Sequence, residues 1–497
     1  MLRSWNLNLV LNRDSALAVY LQIAQQIIDE IKRGRLLPST ILPGTRELAE
    51  KFNVNRKTAR LAYDELIAQG WLTTEKRRGT FVSAKLPHFV PHKHASMQVA
   101  EIHTSQFTSY ARHLVPQDHT VLDQVIDFND GIPDTRLIPF EILSRAFRHA
   151  LVDSSRANRL GYDDPRGMLI LRQAIASMLN MERGLSVSVD NTCIVRGSQM
   201  GIFLAARILT RPGDCVVVER LSYPPAREAF SSCGAQILGV GLDEHGLDVD
   251  ELETLCKQHR VRAIYVTPHH QFPTTVMMTA ERRLKLLMLA EQYDFVIVED
   301  DYDHEFHFHH HPVLPLASDD PAGRVVYVGS LSKVLAPGLR IGYLVASREF
   351  INQCSSEIML IDRQGNSVTE FAVAELMGSG EIKRHIRKTL KIYGERRNIL
   401  VDLVREELGP FVRFDPPVGG LALWLRLNEG IDIDALAQKA LLKKVRVLPG
   451  SLFSDGETDI NGIRLGFGSL DANELTEGIW RLKHALIAQD RAISLMD

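Results

Sequence analysis

Cysteine is scarce in this chain: five among 497 residues (Cys193, Cys215, Cys233, Cys256, Cys354), with no C-x-x-C pair. That argues against a disulfide framework and a zinc knuckle, and it fits a reducing cytoplasm. Long apolar runs are missing too. No stretch reaches the roughly 18 uninterrupted apolar residues of a membrane helix, and the opening MLRSWNLNLVLNRDS turns polar after Leu11, unlike a signal peptide. Net charge is nearly absent, at −3. The near-zero total hides an asymmetry: residues 1–84 carry 13 basic and eight acidic side chains, a balance of +5, and the remainder is −8. A basic head on an acidic body points to a polyanion partner for the head alone. With 45% hydrophobic residues the chain can build large cores, and its length predicts about three domains.

Apolar residues at Tyr20, Ile23, Ala24, Ile27, Ile28 and Ile31 share one helical face, and Gly34 offers a stop. A second helix is expected from Thr45, capped by its hydroxyl, and a third from Asn55 to about Gln69, ended by Gly70. On the third, Ala59, Ala62, Tyr63 and Leu66 face inward while Arg56, Lys57 and Arg60 share another face. WLTTEKRRGTFVS follows, two β-rich runs joined by Lys76-Arg77-Arg78-Gly79. This order predicts a winged helix-turn-helix whose third helix enters the major groove and whose wing reaches the backbone or minor groove.

The run LPGTRELAEKFNVNRKTARLAYDELIAQGWLTTEKRRGTFV closely resembles the DNA-binding domain of the GntR family. The resemblance implies operator DNA as partner, with Arg46, Arg56 and Thr58 as backbone or base contacts and Gly79 at the wing tip. Lys57, Arg60, Lys76, Arg77 and Arg78 add the surrounding positive charge. Domain limits follow: a DNA-binding head over 1–84, a linker over 85–125 without sustained periodicity, and a body over 126–497.

In the body, helical patterns alternate with short apolar runs at 192–195, 215–218, 263–267, 295–298, 325–328 and 341–345. Such runs predict a parallel sheet covered on both faces, with functional residues at the carboxyl ends of its strands. Three clusters fall there. Gly197-Ser198-Gln199 opens a helix and offers free N–H groups to an anion. Glu299, Asp300, Asp301 and Asp303 are placed just past a strand. Ser330, Ser332, Lys333 and Arg340 suit a phosphate, with Lys333 available as a nucleophile.

From Gly161 to about Gly468 the body resembles fold-type I pyridoxal-phosphate enzymes of the aminotransferase class. With its head, the whole chain is similar to MocR/GabR bacterial transcription regulators; S-x-S-K-x-x-x-P-G-L-R-x-G-Y is the most specific piece. The resemblance implies an α/β body with a small C-terminal subdomain from about 385, and pyridoxal 5'-phosphate as cofactor. It makes Lys333 the internal aldimine, Asp300 the partner of the pyridine nitrogen and Tyr302 that of the phenolic oxygen. Ser198, Gln199, Ser330, Ser332 and Arg340 match the phosphate cup, Tyr223 the stacking ring, and Tyr162 a residue lent by the partner subunit. Arg464 matches the arginine that grips a substrate carboxylate. The family stretch T-P-S-H-Q-F-P-x-G becomes TPHHQFPTT here, with His269 and Thr275 as departures and His270 and Gln271 expected near the cofactor. The tract HEFHFHHHP, with His304, His307, His309, His310 and His311, has no diagnostic metal spacing and is expected to be an exposed loop.

Two functions follow from these implications. One is a cytoplasmic, nucleoid-associated homodimeric regulator, its subunits paired head-to-tail or otherwise, sensing an amino compound or the cofactor itself through aldimine chemistry at Lys333. In that reading aminotransferase activity is at most a vestigial half-reaction. The other is a working aminotransferase with an accessory DNA-binding head.

Overall fold

A computed structural model of the protein describes residues 9–13, 15, 17–75, 78–86, 124–308, 313–454 and 461–493. The chain forms two compact units, Met1–Arg112 and His113–Asp497. Most of the expected linker, residues 87–123, lies outside the described residues. So do Lys76 and Arg77 of the wing and His309, His310 and His311 of the histidine tract. Among the described residues no helix is long and apolar enough to cross a membrane.

The head has three helices, α1 (Val19–Lys32), α2 (Thr45–Lys51) and α3 (Arg56–Ala68). Three short strands, β1 (Ile41–Leu42), β2 (Leu72–Glu75) and β3 (Gly79–Val82), make an antiparallel sheet in the order β1-β3-β2. Its core gathers Ile23, Ile27, Leu48, Ala59, Ala62 and Leu66, all solvent-free, which is the inward set of the amphipathic pattern. Asn55 caps α3 by accepting the Lys57 N–H at 2.8 Å. The expected Thr45 cap is corrected: Gly44, in extended conformation, holds the cap position, and Thr45 is already helical. Gly79 opens β3 opposite Glu75, at φ +117°, a conformation other residues rarely adopt.

In the body, β4 (Ile126–Asp127) precedes a seven-stranded sheet. Its strands are β5 (Thr192–Val195), β6 (Cys215–Glu219), β7 (Gln236–Val240), β10 (Val261–Val266), β11 (Val296–Asp301), β12 (Val325–Ser330) and β13 (Gly342–Val345). A small hairpin, β8 (Leu242–Asp243) with β9 (Gly246–Leu247), stands apart. The sheet order is β5-β13-β12-β11-β10-β6-β7. It is not wholly parallel, since β13 runs antiparallel to both β12 and β5. An apolar run buried on both faces reads the same in either direction, so the pattern could not show this. β7 escaped notice because this edge strand is mostly half-exposed. Glu299, Asp300 and Asp301 lie within β11, not past it.

A smaller lobe holds β14 (Val412–Arg413), β15 (Ala422–Leu427), β16 (Val445–Arg446), β17 (Leu448–Pro449) and β18 (Gly462–Gly466). Four of these form the antiparallel sheet β14-β15-β18-β17, while β16 pairs in parallel with β4. Phe128, fully buried, packs into this lobe's core with Leu421, Leu423 and Phe467. The small lobe therefore includes the body's first strand as well as its C-terminal part. The helix Glu381–Leu403 joins the lobes: Ile382 packs in a large-lobe core, Tyr393 and Leu400 in the small one.

Candidate functional site

Parallel strands deliver their carboxyl ends to one edge of the sheet, and the turns there converge. After β5 the chain turns at Gly197, φ +75°, into the helix Ser198–Leu209. A Cβ on Gly197 would stand 2.8 Å from Arg340 Nη2, and one on Gly342 only 2.7 Å from the Gly197 carbonyl carbon. The two glycines therefore let the Arg340 guanidinium close on the helix N-terminus. Arg340 donates to the Arg196 carbonyl at 3.0 Å, and no carboxylate among the described residues pairs with it. Ser330 Oγ accepts the Ser332 N–H at 3.1 Å, and the Ser332 hydroxyl lies 3.5 Å from the Ile341 carbonyl, one residue past Arg340. A free guanidinium, two hydroxyls and a helix N-terminus make an anion cradle.

β11 supplies the acid. Asp300 is 4% exposed; its Oδ2 accepts from the Tyr265 hydroxyl at 2.8 Å, and its Oδ1 is buried with no partner. Burial raises its pKa to about 7 against the help of the Tyr265 hydrogen bond. An orphaned acceptor on a carboxyl group poised near neutrality is what a protonated ring nitrogen would satisfy. Lys333, partly exposed, holds its amine 4.4 Å from the centre of the Tyr302 ring. Burial of the surrounding space lowers its pKa, against attraction from Asp130, Asp303 and Asp300, so more of the amine is neutral and nucleophilic.

The remaining expected residues divide by what they already hold. Tyr302 donates its hydroxyl to the His270 carbonyl at 3.0 Å. Tyr223 stands edge-on to Phe272 with ring centres 5.3 Å apart. Gln199 gives its amide N–H to the Pro225 carbonyl, and its Oε1 is buried without a partner. His270 pairs with Asp303 at 2.8 Å, and this imidazole holds the Asp303 carboxyl below its usual range although burial opposes it. Gln271 has no group left over: its amide nitrogen serves Glu219, Leu221 and Phe272, and its oxygen takes both donors of Thr274. It ties the Thr267–Thr275 loop together. Thr275 sits at φ +64°, so the family glycine it replaces would have been unstrained there. His269 stacks on His304, centres 4.8 Å apart, and burial pushes its pKa down to about 3. Among the described residues no group of three or more His, Cys, Asp or Glu is placed to hold a metal.

Arg464, on β18, is 1% exposed. Its Nε and Nη2 donate to the Asp130 carbonyl at 3.2 and 3.0 Å and its Nη1 to the Pro273 carbonyl at 2.5 Å, while no carboxylate among the described residues neutralises it. Its guanidinium lies 4.6 Å from the centre of Phe272, inside an aromatic cluster of Phe272, Tyr302, Trp424 and Phe453. A cleft of about 610 Å³ between the lobes reaches this cluster at Leu221 and Trp424. Tyr162 stands apart, 81% exposed, with Arg363 stacked on its ring at 4.9 Å. The sequence pattern missed Tyr265 and Asp130. Tyr265 falls near the carboxyl end of the apolar run 263–267, and Asp130 precedes Gly131 at φ +98°.

On the head, Arg56, Lys57 and Arg60 are exposed on α3, and Thr58 is half-buried. Arg46 pairs with Glu50 at 3.2 Å, Arg60 with Asp64 at 3.7 Å and Arg78 with Glu75 at 2.6 Å. Arg56 and Lys57 have no such partner among the described residues.

Residues 123–482 match the family model for aminotransferase class I and II, and residues 19–82 that for bacterial regulatory proteins of the gntR family. The chain is 30% identical over 490 residues to the probable rhizopine catabolism regulatory protein MocR of Rhizobium meliloti, covering 98% of this chain and 97% of that one. It is 32% identical to aromatic-amino-acid aminotransferase 1 of Thermococcus litoralis, over 73% of this chain and 88% of the relative. The structure of LysN, the α-aminoadipate aminotransferase of Thermus thermophilus, complexed with N-(5'-phosphopyridoxyl)-L-leucine, superposes with TM-score 0.70 at 28% identity, covering 74% of this chain and 94% of that one.

Proposed function

This chain belongs to the aminotransferase class I and II family and, with its gntR-type head, is a pyridoxal-phosphate-dependent regulator of the MocR/GabR type; we propose that its body senses an amino compound at Lys333 and its head carries the result to operator DNA. The observation that carries this reading is the orphaned Asp300 Oδ1, buried at the same sheet edge as a partly exposed lysine and an unpaired arginine cradle. When bound, pyridoxal phosphate supplies an aldehyde that condenses with amines and a ring that withdraws electron density from the attached carbon.

This chain's residues have separate tasks. Arg340, Ser198, Ser330 and Ser332 hold the phosphate, and Asp300 keeps the proton on the ring nitrogen. Tyr223 bounds the ring. Lys333 offers its amine, and Arg464 grips the effector carboxylate, a counter-charge its guanidinium lacks among the described residues. Because Arg464 belongs to the small lobe and Lys333 to the large one, a ligand holding both favours one lobe arrangement over others. We place Tyr162, the most exposed aromatic of the set, at the partner's site in a homodimer, whose two heads would read paired half-sites. Arg46, Arg56, Lys57, Thr58, Arg60 and Arg78 serve the DNA.

The competing reading, a multiple-turnover aminotransferase, is favoured by the intact Lys333 and Asp300. One experiment separates the two. The holo-protein is titrated with amines and amino acids while the cofactor's visible absorbance and the operator affinity are followed together. A regulator changes both in parallel, with operator affinity moving by about tenfold or more. Spectral change and sustained keto-acid turnover without any effect on operator affinity would establish the enzyme instead.

A further inference from the structure

One buried ion pair at the site has no part in the tasks assigned above. His270 and Asp303 are each 2% exposed, and His270 Nδ1 donates to Asp303 Oδ1 at 2.8 Å. The other edge of the imidazole meets the small lobe. A Cβ on Gly419 would collide with His270 Nε2, and one on Gly420 would stand 2.9 Å from Asp303 Oδ2. Two successive residues without side chains therefore let small-lobe backbone rest directly on the pair.

That backbone is fastened around the contact. Gly420 donates its N–H to the Phe306 carbonyl at 2.6 Å, Phe308 donates to the Val418 carbonyl at 3.0 Å, and His307 forms an antiparallel bridge with Gly419. Phe306, three residues past Asp303, is itself packed in the small-lobe core. From Gly420 the chain runs into β15, where Trp424 pairs with Arg464 of β18. On the large-lobe side, the His270 carbonyl accepts the Tyr302 hydroxyl at 3.0 Å, and the Tyr302 ring centre is 4.4 Å from Lys333 Nζ. His270 thus touches the tyrosine bordering Lys333 through its carbonyl. Through its ring it touches the turn that launches the strand beside Arg464.

A buried ion pair is a weak source of stability, because desolvation offsets most of the attraction. What Asp303 adds is a fixed orientation of the ring. We propose that His270 is a positioning residue for effector selection: held by Asp303, its imidazole sets the separation between Lys333 and Arg464, and so selects amino acids by the spacing of amine and carboxylate. This rests on the roles given above to Lys333 and Arg464.

The test titrates holo-protein with alanine in both enantiomers, 3-aminopropanoate, 4-aminobutanoate and 5-aminopentanoate, whose amine and carboxylate stand at four separations. Propylamine, which has no carboxylate, is the control. Dissociation constants are read from the cofactor's absorbance and from calorimetry. Wild type should bind the best-matched acid about tenfold or more tighter than propylamine and than the acid two carbons longer or shorter. His270→Ala should flatten the series to within about threefold and leave propylamine within about threefold of wild type, because only the spacing is lost. Asp303→Asn, whose amide oxygen still accepts from Nδ1, should keep the wild-type order, and Asp303→Ala should not. If His270→Ala does not fold, Gly419→Ala, whose methyl pushes the small lobe off the ring, should give the same flattened series. An unchanged series in His270→Ala or Gly419→Ala, or a loss shared equally by propylamine, overturns the positioning role while leaving Lys333 and Arg464 in place. So does wild type binding all four spacings equally, yet tighter than propylamine. If no acid binds wild type tighter than propylamine, the underlying reading of Arg464 fails, and this inference with it.

Discussion

Asp300 and Asp301 are neighbours on one strand, equally buried, and physically opposite. Asp300 points to the cavity with an empty oxygen, and burial lifts its pKa to about 7. Asp301 points to the other face, where the His304 imidazole lies 2.9 Å away, the Tyr327 hydroxyl donates at 2.5 Å and the guanidinium of fully buried Arg183 stands at 3.5 Å. Those cations hold its carboxyl well below the usual range in spite of burial. Among the described residues each keeps a buried Oδ1 without a partner; the two differ at Oδ2, which in Asp300 meets one neutral hydroxyl and in Asp301 a hydroxyl, an imidazole and a guanidinium. Residue type does not separate the two, but the charge of their partners does.

The contrast can be broken at several points. Lys333→Ala should abolish the visible absorbance of bound cofactor and leave no mass increment after borohydride reduction, while cofactor-free protein stays folded; retained absorbance would refute the assignment of this lysine. Asp301→Asn should do the reverse, lowering stability in urea unfolding by about 1–3 kcal/mol, because buried Arg183 keeps only Glu305 as counter-charge and the Tyr327 hydroxyl loses its ionised acceptor. Asp300→Asn should stabilise the cofactor-free protein only at high pH. A carboxyl group whose folded pKa is raised contributes stability below about pH 4 and loses it as pH rises through about 7. The variant should therefore match wild type in acid and exceed it above pH 8, by up to about 4 kcal/mol for a shift of roughly three units. Equal pH profiles would show that Asp300 is compensated after all.

The same distinction extends to the head, where Arg56 lacks the acidic neighbour that Arg60 has in Asp64. Arg56→Ala with Arg60→Ala should lower the salt slope of operator binding by about two, with unchanged cofactor spectra. Arg56 should account for the larger share of the lost affinity. The smallest effect is expected at Thr275→Gly, which relieves a β-branched residue at φ +64° and should raise stability by about 1 kcal/mol in thermal melts.

Much of this was legible in the chain itself. The head followed from helical spacing and a charged face, because its core residues recur at 3.6-residue intervals and its caps are local. Most strands of the large sheet followed from their apolar runs. Strand direction did not, since β13 has the same composition whichever way it runs. Of the site, Lys333, Asp300 and Arg340 were found from a motif. What Gln271 and His270 do depends on contacts with Glu219 and Asp303, dozens of residues away in sequence, which local pattern does not encode.

The seam between β4 and β16 has a topological corollary. The first described strand of the body is stitched into the lobe that bears Arg464, not into the sheet whose β12 leads to Lys333, so the order of the chain and the order of the lobes do not coincide.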